Sequence, residues 1–322
     1  MCGIVAGCSY RNIVPILTEG LRRLEYRGYD SCGVAVVDEN RLKRARTVSR
    51  VQDLIEQTEK NGIKGLSGIA HTRWATHGAP EICNTHPHFS HDQIAVVHNG
   101  IIENYEPLRE ELKAKGYVFV SETDTEVIVH LVHSYYEGDL LEAVKKTVLR
   151  LKGAYGIAVS CKDEPDRVIG AKMSAPLVVA LGDKENFIAS DPLALAGVTD
   201  CYIYLEDGDV ADIRPTSAQI WNRLGDEFVE IQRPVSVVQG FTSGIALGPY
   251  THYMQKEIFE QPQALSDTLE GVQFVTSAIF GHEAKEIFQQ IKRVLIIACG
   301  TSYYAGLVAK YWLEALAKVP CD

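Results

Sequence analysis

MCGIVAGC, residues 1–8, opens the chain, and how this stretch is read decides the fold. From Cys2 to Cys8 every residue is apolar or glycine, which is the composition of a buried strand and not of a loose terminus. An initiator methionine is normally trimmed when a small residue follows it, and trimming here leaves Cys2 with a free α-amino group beside its own thiol. An unperturbed thiol titrates at about 8.5 and an α-amino group at about 7.7 to 8.0, so near neutral pH the amine can take the thiol proton directly or through a water. One residue then holds both nucleophile and base. The plainer reading is a small residue that permits trimming, its thiol a small buried apolar group. Both readings stand until the rest of the chain is considered.

At 322 residues the chain has room for two domains, with a sizeable core in at least one. Its apolar share of 46% and charged share of 23% are those of a globular protein. A formal net charge of −10 argues against nucleic acid as a general partner. No apolar run approaches the roughly 20 residues of a membrane span, and no charged leader with an apolar core opens the chain. The expectation is a cytoplasmic protein with no membrane partner. The eight cysteines (Cys2, Cys8, Cys32, Cys83, Cys161, Cys201, Cys299, Cys321) form no C-x-x-C pair and read as reduced thiols.

Outward from the first strand, residues 13–26 place Ile13, Ile16, Leu17, Leu21 and Leu24 at helical spacing, with Gly28 positioned to end the helix. Residues 27–31 (RGYDS) form a polar turn. Strands are expected at 32–38, 42–48 and 68–72, with a helix at 51–59. Short connections between strands predict antiparallel sheet with helices packed on it, not strict parallel βαβ units.

Residues 71–98 hold six of the ten histidines and read as a long loop of the kind that carries function. His86, His88 and His91 are close in sequence, but no carboxylate or cysteine pattern completes a zinc spacing, so no metal is expected. A strand at 94–98 runs into Asn99-Gly100, a strong hairpin signal. Residues 101–116 suit a loop and helix better than a return strand. Asn99-Gly100 is therefore expected where a strand ends, a position that can aim a side-chain amide and a backbone N–H at one point. SETDTE at 121–126 looks like a capping box, with helices following at 126–136 and 140–151.

Short strands at 155–161, 168–171, 177–181, 187–189, 202–205, 210–213, 219–222 and 227–231 predict a second sheet. The expected first domain is 1–231, the linker 232–250, and a second region 251–322. In that region 250–271 is amphipathic and helical, with Pro262 starting or kinking a helix. A buried strand is expected at 293–299, then Gly300-Thr301-Ser302 and a helix at 303–318. Strand, tight turn and helix N-terminus suit a phosphate, through unpaired N–H groups and the helix dipole, although Thr and Ser are equally ordinary N-caps. One strand and one helix cannot bury a core, so the chain is expected to be a fragment of a longer protein.

Taken together, MCGI (1–4), RRLEYRGYDS (22–31), HTRWATHG (71–78), HNGIIEN (98–104) and SETDTE (121–126) closely resemble the N-terminal glutaminase domain of the glutamine:fructose-6-phosphate aminotransferase family. HYMQKEIFEQP (252–262) and CGTSYYAG (299–306) resemble that family's interdomain segment and the beginning of its sugar-phosphate isomerase (SIS) domain. The resemblance covers essentially the whole chain. Cys-Gly-Ile with Asn-Gly is shared by other N-terminal-nucleophile amidotransferases, and the CGTS and HYMQKEI segments select the sugar-phosphate branch. The resemblance implies an α+β four-layer αββα sandwich (Ntn-hydrolase), followed by the beginning of an α/β SIS domain.

It also implies roles. Cys2 attacks the side-chain amide of L-glutamine, with its freed α-amino group shuttling the proton. Asn99 and Gly100 form the oxyanion hole, Arg73 pairs with the substrate carboxylate, and Asp124 holds its ammonium. Thr76, His77 and His86 line the same pocket, Arg27 orders the site, and Trp74 gates an ammonia channel. Thr301 and Ser302 bind the phosphate of fructose 6-phosphate, which is converted to glucosamine 6-phosphate. No cofactor is implied, and the whole enzyme is implied to be a homo-oligomer through its SIS domains. The family's isomerase residues would lie beyond residue 322, so glutaminase activity alone is expected of this chain. Two rivals remain: an amidotransferase with another acceptor, and a non-catalytic sugar-phosphate sensor, which would have no need of Cys2.

Overall fold

The apolar opening becomes β1 (Gly3–Ser9), every residue of which is buried. It is an interior strand, hydrogen-bonded on both sides. The computed structural model describes residues 2–75, 77–238, 249–268 and 284–322. The chain separates into two compact units, Met1–Ala246 and Leu247–Asp322.

In the first unit, β1 leads to α1 (Val14–Leu24), β2 (Ser31–Asp38), β3 (Arg41–Thr47), α2 (Val51–Lys60) and β4 (Ser67–Arg73). Next come β5 (His88–Ser90), β6 (Ile94–Ile102) and the helices α3 (Tyr105–Ala114), α4 (Thr125–Tyr135) and α5 (Leu140–Val148). The strands β7 (Gly153–Cys161), β8 (Val168–Met173), β9 (Val178–Leu181), β10 (Glu185–Ala189), β11 (Cys201–Tyr204), β12 (Asp209–Arg214), β13 (Ser217–Leu224), β14 (Glu227–Ile231) and β15 (Val235–Val237) complete it. One sheet has the order β15-β11-β9-β10-β1-β4-β2-β3 and the other β14-β13-β12-β8-β7-β6-β5. Their strand pairs are antiparallel, as β1 with β4 and β10, or β6 with β5 and β7.

Strand alternation sorts the side chains into layers. Ile4, Ala6 and Cys8 of β1 meet Ile69 of β4 and Ala95 and Val97 of β6 in a core between the two sheets. Val5 and Ala70 face the other way, against Leu17, Leu21 and Leu24 of α1 and Leu54 of α2. Beneath the second sheet a third core gathers Val96, Val159 and Ile169 with Leu112 of α3, Leu131 of α4 and Val144 of α5. The result is an αββα sandwich. The periodicity of α1 accounts for its place in it: residues 17, 21 and 24 are fully buried, Pro15 occupies its first turn, and Gly28, at φ +88°, ends the 3-10 turn that follows.

Several expectations are corrected. Asn99-Gly100 does not end a strand, because β7 is long enough to carry the ladder on to Ile102, opposite Gly153. Gly100 sits at φ +132°, and a Cβ there would lie 2.0 Å from the Ala154 carbonyl oxygen, so glycine is required inside the strand. The long histidine loop is shorter than expected: the strand expected at 68–72 forms and runs on to Arg73 as β4, and His88 begins β5. SETDTE is not a simple capping box: α4 begins at Thr125 with no side-chain cap bond from Asp124. Glu126 instead accepts from the Val120 and Ser121 N–H groups and the Ser121 hydroxyl. The expected linker contains β15, which pairs with β11.

In the second unit, α6 (Tyr253–Thr268) runs through Pro262, followed by α7 (Ala284–Gln290) and α8 (Gly300–Trp312). Residues 269–271 of the expected helix lie outside the described residues. Residues 293–299 are not a buried strand. Val294 makes an isolated parallel bridge to Cys321, and Leu295 and Ile297 are 68% and 86% exposed. The ladder bonds of this run reach the last residues of the chain, Val294 N–H to the Pro320 carbonyl and Ile296 N–H to the Asp322 carbonyl, which is too short a pairing to form a strand. No helix among the described residues is long and apolar enough to cross a membrane.

Candidate active site

Alternation along three strands brings the site together. Residues 4, 6 and 8 of β1, 69 of β4 and 95 and 97 of β6 all face the inter-sheet layer, and continuing each pattern carries Cys2, His71 with Arg73, and Asn99 onto that side. The register Gly3↔Thr72 between β1 and β4 brings Cys2 beside Arg73 and Trp74. These residues line a cavity of about 440 Å³, together with Arg27, His77, His86, Gly100 and Asp124. Every residue named for glutamine from the sequence is thus at one cavity, except Thr76, which lies outside the described residues.

The Trp74 N–H donates to Cys2 Sγ at 3.1 Å, and Asn99 Nδ2 donates to the Cys2 carbonyl oxygen at 3.2 Å. Burial pushes the Cys2 thiol pKa up, with the Trp74 N–H working in the other direction. The Trp74 indole is 53% exposed and rests on Gly28, where a Cβ would come within 1.9 Å of the ring.

Arg73 is 3% exposed and organises the segment after β4. Its Nη2 donates to the His77 and Gly78 carbonyls, its Nη1 to the Ala79 carbonyl at 3.2 Å and to Asp30 Oδ1 at 3.3 Å. Asp30 also accepts from the Ala75 N–H. Arg27 pairs with Asp191. Asp124 Oδ2 accepts from the Ile102 N–H at 2.8 Å, which ties the start of α4 to the end of β6.

A row of buried imidazoles backs the cavity. His71 and His86 have ring centroids 4.1 Å apart, and His86 and His88 4.7 Å. The Thr125 hydroxyl lies 3.0 Å from both His86 Nε2 and His98 Nδ1. Burial lowers the pKa of all four, to about 3 for His71 and His88, so they are neutral at pH 7. His91 is apart from this row and stacks on His133. Among the described residues no group of three or more histidine, cysteine or acidic side chains is arranged to hold a metal ion.

Sequence reading passed over His71, which sits 2.9 Å from Asn99 Oδ1, and the partner acids Asp30 and Asp191. His71 had one available signal, its place two residues before Arg73 on the same strand face. Thr301 and Ser302 lie exposed in the first turn of α8, without the strand expected before them.

Residues 75–196 match the glutamine amidotransferase domain model. Together with the relatives below, this match shows that the chain carries a glutamine amidotransferase domain. Among solved structures the chain is similar to the glutamine phosphoribosylpyrophosphate amidotransferase from B. subtilis, at 25% identity and a TM-score of 0.60 over 68% of this chain and 48% of that one. Over nearly its whole length it is similar to glutamine–fructose-6-phosphate aminotransferase [isomerizing] of Bordetella pertussis, 56% identical over 99% of the chain. The same enzyme of Pseudomonas aeruginosa is 54% identical over all of it. The chain spans about half the length of these curated relatives, 53% in each case.

Proposed function

We propose that this chain hydrolyses L-glutamine, and that in a protein of its relatives' full length the ammonia released goes to fructose 6-phosphate. The Cys2 thiolate attacks the side-chain carbonyl carbon of glutamine, forming a C–S bond. The α-amino group, freed once Met1 is removed, takes the thiol proton and passes it to the leaving nitrogen as the C–N bond breaks. Water then cleaves the thioester to glutamate. The Asn99 Nδ2–H and Gly100 N–H receive the negative charge that develops on the carbonyl oxygen, a contribution on the order of 3 kcal/mol per donor. Arg73 binds the α-carboxylate and Asp124 the α-ammonium, with Thr76, His77 and His86 completing the pocket. Arg27, held by Asp191, orders the site and Trp74 gates the exit of ammonia.

One observation carries this reading: the Asn99 amide donates to the Cys2 main chain in the same cavity that buries Arg73. Thr301 and Ser302 are proposed to hold the sugar phosphate, with the SIS region as the oligomer contact. The free thiols of the described cysteines support a cytoplasmic setting. The test is a glutamate-release assay on chain shown by mass spectrometry to begin at Cys2. Hydrolysis is expected and is abolished by C2A; processed, folded chain that releases no glutamate contradicts the proposal. With fructose 6-phosphate added, the 322-residue chain is expected to form no glucosamine 6-phosphate.

A further inference from the structure

We propose that His71 is a positioning residue for the oxyanion donor: its imidazole fixes the Asn99 amide so that Nδ2, and not Oδ1, faces Cys2. The inference rests on the glutamine-hydrolysis reading and names a part of that site which the sequence motifs do not assign.

The orientation follows from hydrogen-bond chemistry. His71 Nε2 lies 3.0 Å from the His98 carbonyl oxygen and 2.9 Å from the Asn99 side chain. A main-chain carbonyl only accepts, so Nε2 must carry a hydrogen. A hydrogen there demands an acceptor on Asn99 as well, which selects Oδ1 and turns Nδ2 toward the Cys2 carbonyl, 3.2 Å away. The flipped amide would set N–H against N–H on one side and carbonyl against carbonyl on the other. A free asparagine amide has a broad, roughly two-fold torsion and no such preference.

The other ring nitrogen has no claim on that proton. His71 Nδ1 is buried without a hydrogen-bond partner among the described residues, so no group there draws the proton to the other nitrogen. The ring is fully buried in β4, and its neighbours Arg73 and His98 discourage a second proton. His71 is therefore a neutral, single-tautomer donor, pointed from one sheet at a strand of the other.

The test compares glutamine hydrolysis, and alkylation of Cys2 by iodoacetamide, in processed wild type, H71Q, H71M, N99A and H71M/N99A. Alkylation needs the thiolate but no oxyanion hole, so it separates lost positioning from a damaged fold. For H71M, kcat is expected to fall about 100-fold while KM and the alkylation rate stay within about threefold. H71Q, whose amide N–H can stand in for Nε2–H, is expected to return to within about tenfold of wild type. H71M/N99A is expected to be no slower than N99A alone, because there is then no amide left to orient. Losses that multiply in the double variant overturn the inference, as does an alkylation rate that falls in step with hydrolysis. Should H71M not fold, the same cycle is read with H71Q and H71Q/N99A, and a loss present only beside Asn99 is expected. A processed wild type that folds but hydrolyses no glutamine overturns the proposed function itself, and this inference with it.

Discussion

Two stretches of nearly the same composition, IVAGCS at 4–9 and VLIIACG at 294–300, have different outcomes. The first is an interior strand with neighbours on both sides, and its Ile4 is fully buried. The second makes one bridge, and its Ile297 is 86% exposed. Apolar, β-branched residues favour a strand only where a ladder and a facing layer receive them. The first unit supplies both through two packed sheets. The functional consequence sits at the end of the same strand, since the ladder that buries Ile4 also fixes Cys2 beside β4 and opposite β6.

The sharpest way to break this contrast is to disrupt the ladder where the site is built. G100A is expected to cost about 3 kcal/mol or more, since it combines a positive φ with a collision against Ala154. A urea midpoint equal to wild type would contradict the geometry. I69A, in the layer between the sheets, is expected to cost about 2 to 5 kcal/mol by the same measurement. I297A tests the other stretch and is expected to stay within about 0.5 kcal/mol. A large loss there would mean that 293–299 is packed after all.

Between these in size lies a pH effect. Folding lowers His71 and His88 from an ordinary 6.5 to about 3. The unfolded chain therefore binds more protons than the folded one in that interval. Stability is fully present above about pH 6.5 and is lost as pH falls toward 3, by up to about 1.4 kcal/mol per pH unit for each such histidine. Denaturant midpoints at pH 7 and 5.5 check the sign; a rise on acidification contradicts neutral, buried imidazoles.

The sandwich was legible because its signals are periodic. Residues 2–8, the spacing of α1 and the succession of short strands all report a face or a ladder. The glutamine residues were legible as a resemblance carried by short motifs. What escaped depends on partners distant in sequence. Asp30 lies 43 residues from Arg73, and Asp191 lies 164 from Arg27. Asn99-Gly100 misled because the pair favours turns in isolation, whereas here β7 holds it in a strand. His71 escaped although the strand expected at 68–72 contained it, because its contact is with Asn99, 28 residues on and in the other sheet.

Cys2 is proposed as the nucleophile of a glutamine pocket closed by Arg73 and Asn99. A γ-diazoketone analogue of glutamine, incubated with processed chain and followed by peptide mass spectrometry, tests this most directly. A single adduct on Cys2, suppressed by excess glutamine and lost in R73A, is the predicted result. Labelling spread over other cysteines, or labelling of Cys2 that glutamine does not protect, would contradict it.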